Sequence, residues 1–277
     1  MLFSDLTLSR RLETAEGHAC REFALVRRRF FPESGSEAVR VAGADVVFDG
    51  PTSPVTQTFG LGMFEDPSPQ DLDEVEQFFS TRGAPVQHEV SPFAGVATLQ
   101  LLCARGYHPI EASNVLYQSI EFPFETAPRL DVAAPIDVRV IGPEESSVWS
   151  EVSAGGWTHE QPELEEFVLQ MGALLAHREN GACFLAEIDG QPAAAAALFI
   201  HEGVALFAGA STLPEFRRRG LQAALLDARM RYAGAQGCDL AMMVAEAGSN
   251  SQRNAQRQGF LVAYTRLKWR KDGQAFG

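Results

Sequence analysis

The sequence has little of what marks a metal site, a membrane protein or a nucleic-acid-binding protein. Its four cysteines lie far apart and form no Cys-x-x-Cys pair, so no metal site is expected. The longest apolar run, residues 193–200, is far shorter than a membrane span, and no signal-peptide pattern is visible. Lysine and arginine number 23 against 36 acidic residues, and the net charge of −13 argues against nucleic acid or an anionic membrane as partner. We therefore expect a cytoplasmic protein.

The chain is long enough for two domains, and its order of elements repeats. Helix-ending glycines recur at Gly83 and Gly237, and again at Gly106 and Gly259, with separations of 154 and 153 residues. A nearly constant offset with a matching order of helices and strands predicts an internal duplication. The proline-containing segment 121–135 predicts a linker, which divides the chain into domain 1–125, linker 126–135 and domain 136–277.

Hydrophobic spacing predicts the main elements of both halves. Helical spacing indicates a long amphipathic helix that ends before Pro32, and single strands are predicted over Ala38–Phe48 and Val55–Met63. In the second half, the glycine-containing segment 155–160 is predicted as a loop before a helix over 162–177. Two apolar runs around the turn 189–192 predict a hairpin.

The stretch 204–224 combines a strand, a basic loop and a helix. The apolar run Val204–Ala210 predicts a buried strand, and Arg217-Arg218-Arg219-Gly220 leads into a helical pattern from Leu221. Three cations at a helix start are unfavourable beside the positive end of the helix dipole. A bound phosphate shared by the arginines and the free N–H groups of the first turn removes that cost. The alternative is an exposed basic loop.

Residues 217–223, Arg-Arg-Arg-Gly-Leu-Gln-Ala, resemble the acyl-CoA pyrophosphate loop of the GCN5-related N-acetyltransferases, the GNAT superfamily. The family pattern is Gln/Arg-x-x-Gly-x-Gly/Ala, which Arg217 and Gly220 match and Gln222 does not. Ser251-x-x-Asn254 and the following Gly259-Phe260 resemble the fourth-helix motif of the family. The resemblance implies that acetyl-CoA is bound by Thr212, Leu213, Arg217, Arg218, Arg219, Gly220, Leu221, Gln222, Ala223, Ser251 and Asn254. Asn254 could instead cap its helix.

The resemblance also implies the architecture. We expect an α/β protein with two GNAT-like domains, each a mixed, largely antiparallel sheet flanked by helices. The C-terminal copy is expected to have a splayed central strand. The first copy has Gly60–Pro67 in place of the arginine loop, with Glu65 and Asp66 and no arginine. Carboxylates repel pyrophosphate, so this copy is interpreted as degenerate.

The catalytic groups are less well marked. A tyrosine often protonates the leaving sulfur in the family, but its position here is Ala255. Tyr264 is a candidate acid, although an ordinary strand aromatic is the simpler interpretation. Glu246 ends a strand and is the candidate base, with a surface carboxylate as the alternative. Trp157 and His159 are candidates for contact with the acceptor, or are structural.

These expectations add up to an acyltransferase that moves the acetyl group of acetyl-CoA onto a primary amine of a small metabolite by direct attack. The alternative is a non-catalytic acyl-CoA-binding sensor or interaction module. The expected oligomeric state is a monomer or a homodimer.

Overall fold

The computed structural model of the protein describes residues 4–121, 135–157, 165–175 and 177–271. The chain folds into two compact units. Unit 1 contains Met1–Tyr117 together with Val244–Gly277, and unit 2 contains Gln118–Met243. The boundaries of these units differ from those of the domains predicted from the sequence, 1–125 and 136–277. The sequence domains stay a prediction about the duplication, as does linker 126–135, of which all but Pro135 lies outside the described residues.

Seven helices and eleven strands make up the described part of the chain. The helices are α1 (Leu6–Phe30), α2 (Pro69–Ser80), α3 (Gly95–Ala104), α4 (Ser146–Trp157), α5 (Glu165–Leu175), α6 (Leu221–Ala235) and α7 (Asn250–Arg257). The strands of the first half are β1 (Glu37–Val41), β2 (Ala44–Phe48), β3 (Gln57–Phe59), β4 (Gln87–Val90) and β5 (Tyr107–Ser119). Those of the second half are β6 (Ile136–Val140), β7 (Gly181–Ile188), β8 (Gln191–His201), β9 (Val204–Thr212), β10 (Leu240–Glu246) and β11 (Leu261–Lys271).

Unit 1 is built on a sheet with the strand order β1-β2-β3-β4-β11-β5. Its neighbours are antiparallel except β3 and β4, which pair in parallel with Thr58 opposite His88. The core forms because apolar side chains from the helices and strands meet between α2, α3 and the sheet. One apolar cluster of this core includes Leu61, Met63, Leu72, Leu102, Tyr107 and Trp269.

The last strand of the chain, β11, lies in unit 1 between β4 and β5. Complementary charge accounts for this position. The fully buried Arg266 forms ion pairs with Glu13 and Glu16 of α1 and with Glu89 of β4. Trp269 of the same strand joins the apolar cluster of unit 1. A strand from the second half of the sequence therefore completes the core of the first.

Unit 2 has the strand order β10-β9-β8-β7-β6, in which only β9 and β10 are parallel. Its central strand β8 is buried throughout Ala193–Leu198. Small side chains allow the helices to pack closely on this strand, since six consecutive positions carry five alanines and one leucine. The expected α/β class with mixed, largely antiparallel sheets is confirmed.

Three predicted elements were wrong in detail. Ala38–Phe48 is two strands, because Ala42 and Gly43 take positive φ angles of 46° and 74° and reverse the chain. The strand predicted over Val55–Met63 is limited to β3. Gly155–Trp157 is the last turn of α4 and not a loop. Every described helix is too short or too polar to cross a membrane.

Candidate active site

The second half of β9 has one unpaired edge. Its parallel pairing with β10 runs from Val204 opposite Leu240 to Leu206 opposite Met242 and ends there. Its antiparallel pairing with β8 continues to Thr212 opposite Ala194. Within the described part of unit 2, residues 207–212 are therefore paired on one side only, as the predicted splayed strand requires. Backbone N–H and C=O groups on such an edge need partners, and an extended ligand can provide them.

A β-bulge lies within this half-paired stretch. Ala195 faces Ser211 and Ala197 faces Ala208, so two residues of β9, Gly209 and Ala210, lie opposite Ala196 alone. Gly209 has a φ angle of 59°, which glycine adopts without steric cost. The extra residue of a bulge is left out of the hydrogen-bond ladder. The bulge therefore adds an unpaired backbone group to the open edge of β9.

The chain leaves β9 through a basic loop and enters α6. Arg218 and Gly220 have φ angles of 65° and 88° in the left-handed region, and Gly220 is the residue that precedes the helix. Among the described residues, no side chain caps the first turn of α6. Its free N–H groups are therefore available to an anion, beside the exposed side chains of Arg218 and Arg219.

Two predicted cofactor residues hold this loop together. Arg217 Nε donates to the Thr212 carbonyl (3.3 Å) and its Nη2 donates to the Gly156 carbonyl (3.1 Å). Gln222 Nε2 donates to Thr212 Oγ1 at 2.8 Å. The side chain at the position where the family has glycine or alanine thus ties the start of α6 to the end of β9. The backbone of Leu213 is also in use, because its N–H donates to Ala193 and its carbonyl accepts from Phe216.

The C-terminal turn of α4 supports the same strand end. A Cβ atom on Gly156 would lie 2.6 Å from Ser211 Cβ, and one on Gly155 would lie 2.7 Å from Leu213 Cδ2. Ser211 Oγ donates to the Ser153 carbonyl at 3.1 Å. Glycine is therefore required at position 156, where the added Cβ would also lie 2.9 Å from the backbone nitrogen of Thr212. At position 155 the close atom is the end of the flexible Leu213 side chain, which can move. Trp157 is half-buried at the end of this helix, and His159 lies outside the described residues.

The sequence profile of the family described as "Acetyltransferase (GNAT) family" matches residues 146–260, from the start of α4 to the start of β11. This segment is a GNAT acetyltransferase domain. The GNAT family is one of acyltransferases, so the protein is an acyltransferase. No curated protein matches the chain.

Solved structures with low sequence identity share the fold over most of the chain. A GCN5-related N-acetyltransferase from Kribbella flavida has a TM-score of 0.63 at 19% identity, covering 91% of this chain and 95% of that one. A functionally unknown conserved protein from Staphylococcus epidermidis has a TM-score of 0.61 at 10% identity, covering 85% and 93%. A tandem GNAT protein from the clavulanic acid biosynthesis pathway has a TM-score of 0.56 at 12% identity, covering 84% and 80%.

Other predicted site residues of the GNAT domain belong to unit 1. Glu246 ends β10 and is exposed, and Ser251 and Asn254 are exposed on α7. The helix is capped by Ser249, whose Oγ accepts from the Gln252 N–H, so the capping alternative for Asn254 is wrong. Asn254 Oδ1 instead accepts from Arg257 at 3.4 Å. The roles of these residues stay predictions.

Tyr264 has a structural partner. Its hydroxyl donates to Glu13 Oε1 at 2.7 Å, and its ring packs edge-on against Phe93 with centroids 5.8 Å apart. Burial and the neighbouring Glu13 carboxylate raise the pKa of Tyr264 well above its ordinary value. This environment favours the simpler interpretation of Tyr264 as an ordinary strand aromatic over that of a general acid.

In unit 1, the segment after β3 that the sequence analysis compared with the arginine loop is filled by side chains of the chain itself. After β3, Leu61 and Met63 are almost fully buried in the apolar cluster. Helix α2 has a closed N-terminus, since Ser68 Oγ accepts from the Asp71 N–H and the Asp71 carboxylate accepts from the Ser68 N–H. The N-terminus of α2 is therefore closed by the Asp71 carboxylate, whereas the uncapped N-terminus of α6 is open to an external anion.

The sequence alone did not identify the helix residues that pack against β9. Besides Gly155 and Gly156, these are Trp149 of α4, whose ring lies 3.8 Å from the Cβ position of Gly209, and Arg229 of α6, whose guanidinium lies 4.7 Å from the centre of the Phe207 ring. The glycine pair carried a usable signal, because glycine inside a helix needs a packing reason. No such signal marked Trp149 or Arg229, which look like ordinary helix residues in the sequence.

Proposed function

We propose that the protein is an acetyl-CoA-dependent N-acetyltransferase that acts on a primary amine of a small metabolite. The observation that carries the proposal is the half-paired stretch 207–212, which leads directly to the uncapped N-terminus of α6. An extended amide-containing arm can pair with the open edge of β9, and a pyrophosphate at its end can accept hydrogen bonds from the helix start.

In this proposal the residues of the loop divide into two groups. The backbone of 218–223 and the side chains of Arg218 and Arg219 bind the pyrophosphate. Arg217, Thr212 and Gln222 keep the loop in shape through their mutual hydrogen bonds, and Leu213 contributes through its position and not through a free backbone group. Ser251 and Asn254 are proposed to contact the remainder of the cofactor.

Catalysis is proposed to rely on the backbone. Unpaired N–H groups of β9 stabilise the oxyanion that forms on the acetyl carbonyl when the neutral amine attacks. Glu246 is proposed to accept the proton of the amine, and the thiolate leaves without a protein acid at position 255. Trp157 is proposed to contact the acceptor. The first half of the chain is proposed to be a degenerate copy without cofactor, because Leu61, Met63 and Asp71 fill the equivalent region.

The test is calorimetric titration of the full chain with CoA. Gly220→Asp adds a side chain and a negative charge at the helix start, so we expect CoA binding to be lost. Gly237→Asp is the matched control. It adds the same charge at the other end of α6, at a glycine with a similar φ of 80° and no atom within 4 Å of the added Cβ. Unchanged CoA affinity in Gly220→Asp would place the binding site elsewhere, and binding without turnover of acetyl-CoA by any amine would favour the sensor.

A further inference from the structure

Two buried side chains reach the β9 bulge from different helices. Trp149 of α4 is fully buried, and its indole N–H donates to the carbonyls of Phe184 (3.1 Å) and Ala196 (3.2 Å). Ala196 is the β8 residue that lies opposite the bulge. The far edge of the indole is 3.8 Å from the Cβ position of Gly209. One side chain thus links β7, β8 and the bulged residue of β9.

Arg229 approaches the bulge from α6. It is 2% exposed, and its Nη1 donates to the carbonyl of Ala197, the first paired residue of β8 beyond the bulge. Its guanidinium lies 4.7 Å from the centre of the Phe207 ring on β9. Within the described residues no carboxylate forms an ion pair with Arg229. Burial alone lowers the pKa of Arg229, to about 9.

A buried cation without a counter-charge is unfavourable for stability, and an apolar side chain of similar size would fill the same space at lower cost. The buried positive charge of Arg229 is explained if it stabilises negative charge at the open edge of β9. In the proposed reaction the oxygen of the acetyl carbonyl becomes negative at this edge. A positive charge and fixed donors close to a developing oxyanion are effective because they need no rearrangement during the reaction.

We infer that Trp149 and Arg229 are positioning residues that fix the shape and polarity of the β9 bulge, so that its backbone polarises the acetyl carbonyl of the bound cofactor. This inference rests on the proposed function. It assigns no contact between either side chain and the substrate. Both act through the backbone of β8 and β9, and through the ring of Phe207.

The test uses the full chain with acetyl-CoA that is isotope-labelled at the acetyl carbonyl. In the wild type we expect the infrared band of this carbonyl to move to lower frequency on binding. Trp149→Phe keeps a ring and removes the donor, and Arg229→Met keeps a long side chain and removes the charge. Each is expected to lose at least about half of the frequency shift, while the Kd for CoA without acetyl changes by less than about threefold, because only the bulge is altered.

Two further variants separate positioning from a general loss of stability. Met230→Ala truncates a buried neighbour on α6 without removing a hydrogen bond, and it is expected to lower the Tm while keeping the band shift. Arg229→Lys keeps the charge and is expected to keep most of the band shift that Arg229→Met loses. If Arg229→Met does not fold, Arg229→Lys is compared with the wild type in its place.

A full band shift in folded Trp149→Phe and Arg229→Met would overturn the inference, as would an equal loss in Met230→Ala. The absence of a shift in a wild type that binds acetyl-CoA would also overturn it. Failure of the wild type to bind CoA would instead contradict the proposed function itself.

Discussion

Glu13 is expected to make the stability of unit 1 depend on pH near neutrality. Its carboxylate is fully buried on α1, accepts from the Tyr264 hydroxyl and lies 3.5 Å from Arg266 Nη1. Burial is the largest influence on this group and raises its pKa from 4.5 to about 7, although Arg266 acts in the opposite direction. Glu16 and Glu89 share the same arginine and add to the increase.

The sign of the effect follows from proton binding. Between pH 4.5 and about 7 the folded protein holds the Glu13 proton more tightly than the unfolded chain does. The stabilising contribution is therefore complete below pH 4.5 and is lost as the pH rises through about 7. At about 1.4 kcal/mol for each pH unit, the loss amounts to about 3 kcal/mol.

Glu13→Gln removes this titration and keeps an acceptor for the Tyr264 hydroxyl. We expect the free energy of unfolding of the variant, relative to wild type, to increase by about 3 kcal/mol between about pH 4 and about pH 8. Denaturant unfolding curves over this range measure the difference. Glu74→Gln on α2 is the control, since it removes an exposed carboxylate and leaves the buried cluster intact. A constant difference between Glu13→Gln and wild type across the range would refute the reasoning.

Two further predictions concern buried groups of unit 1. His88 is fully buried, neither ring nitrogen has a hydrogen-bond partner among the described residues, and burial lowers its pKa from 6.5 to about 3. The contribution of His88 to stability is therefore lost as the pH falls from 6.5 towards 3, in the direction opposite to the gain from Glu13. Relative to wild type, the free energy of unfolding of His88→Leu should increase by up to about 5 kcal/mol over this range in acid unfolding curves. An unchanged acid limb would contradict this. Tyr264→Phe should cost about 1 kcal/mol of stability through the lost bond to Glu13. In both the wild type and Tyr264→Phe, kcat/KM should rise with pH through one ionisation and then reach a plateau. If kcat/KM of the wild type falls again at high pH and that of Tyr264→Phe does not, Tyr264 is the general acid.

Local sequence patterns determined most of the elements and the place of the loop. The apolar spacing of α1, the turn glycine between β7 and β8, and the basic segment before α6 were sufficient because each depends on neighbouring residues. The family of residues 146–260 was also predicted from a short loop and confirmed by comparison. The domain boundaries and the individual site residues stay predictions.

Tertiary packing decided what local patterns did not contain. Gly155 and Gly156 have low helix propensity, yet they continue α4 because their missing side chains let the helix approach Ser211 and Leu213. Arg217 is predicted as a phosphate ligand, and two backbone carbonyls brought close by the fold accept hydrogen bonds from two of its five N–H donors. The sequence pattern of β11 predicted a strand but did not indicate which strands lie beside it in the sheet. Its place in unit 1 is explained by the buried ion pairs of Arg266 with Glu13 and Glu16, which lie some 250 residues away in sequence. Burial makes such distant charge pairing mandatory, and no local window of sequence contains both partners.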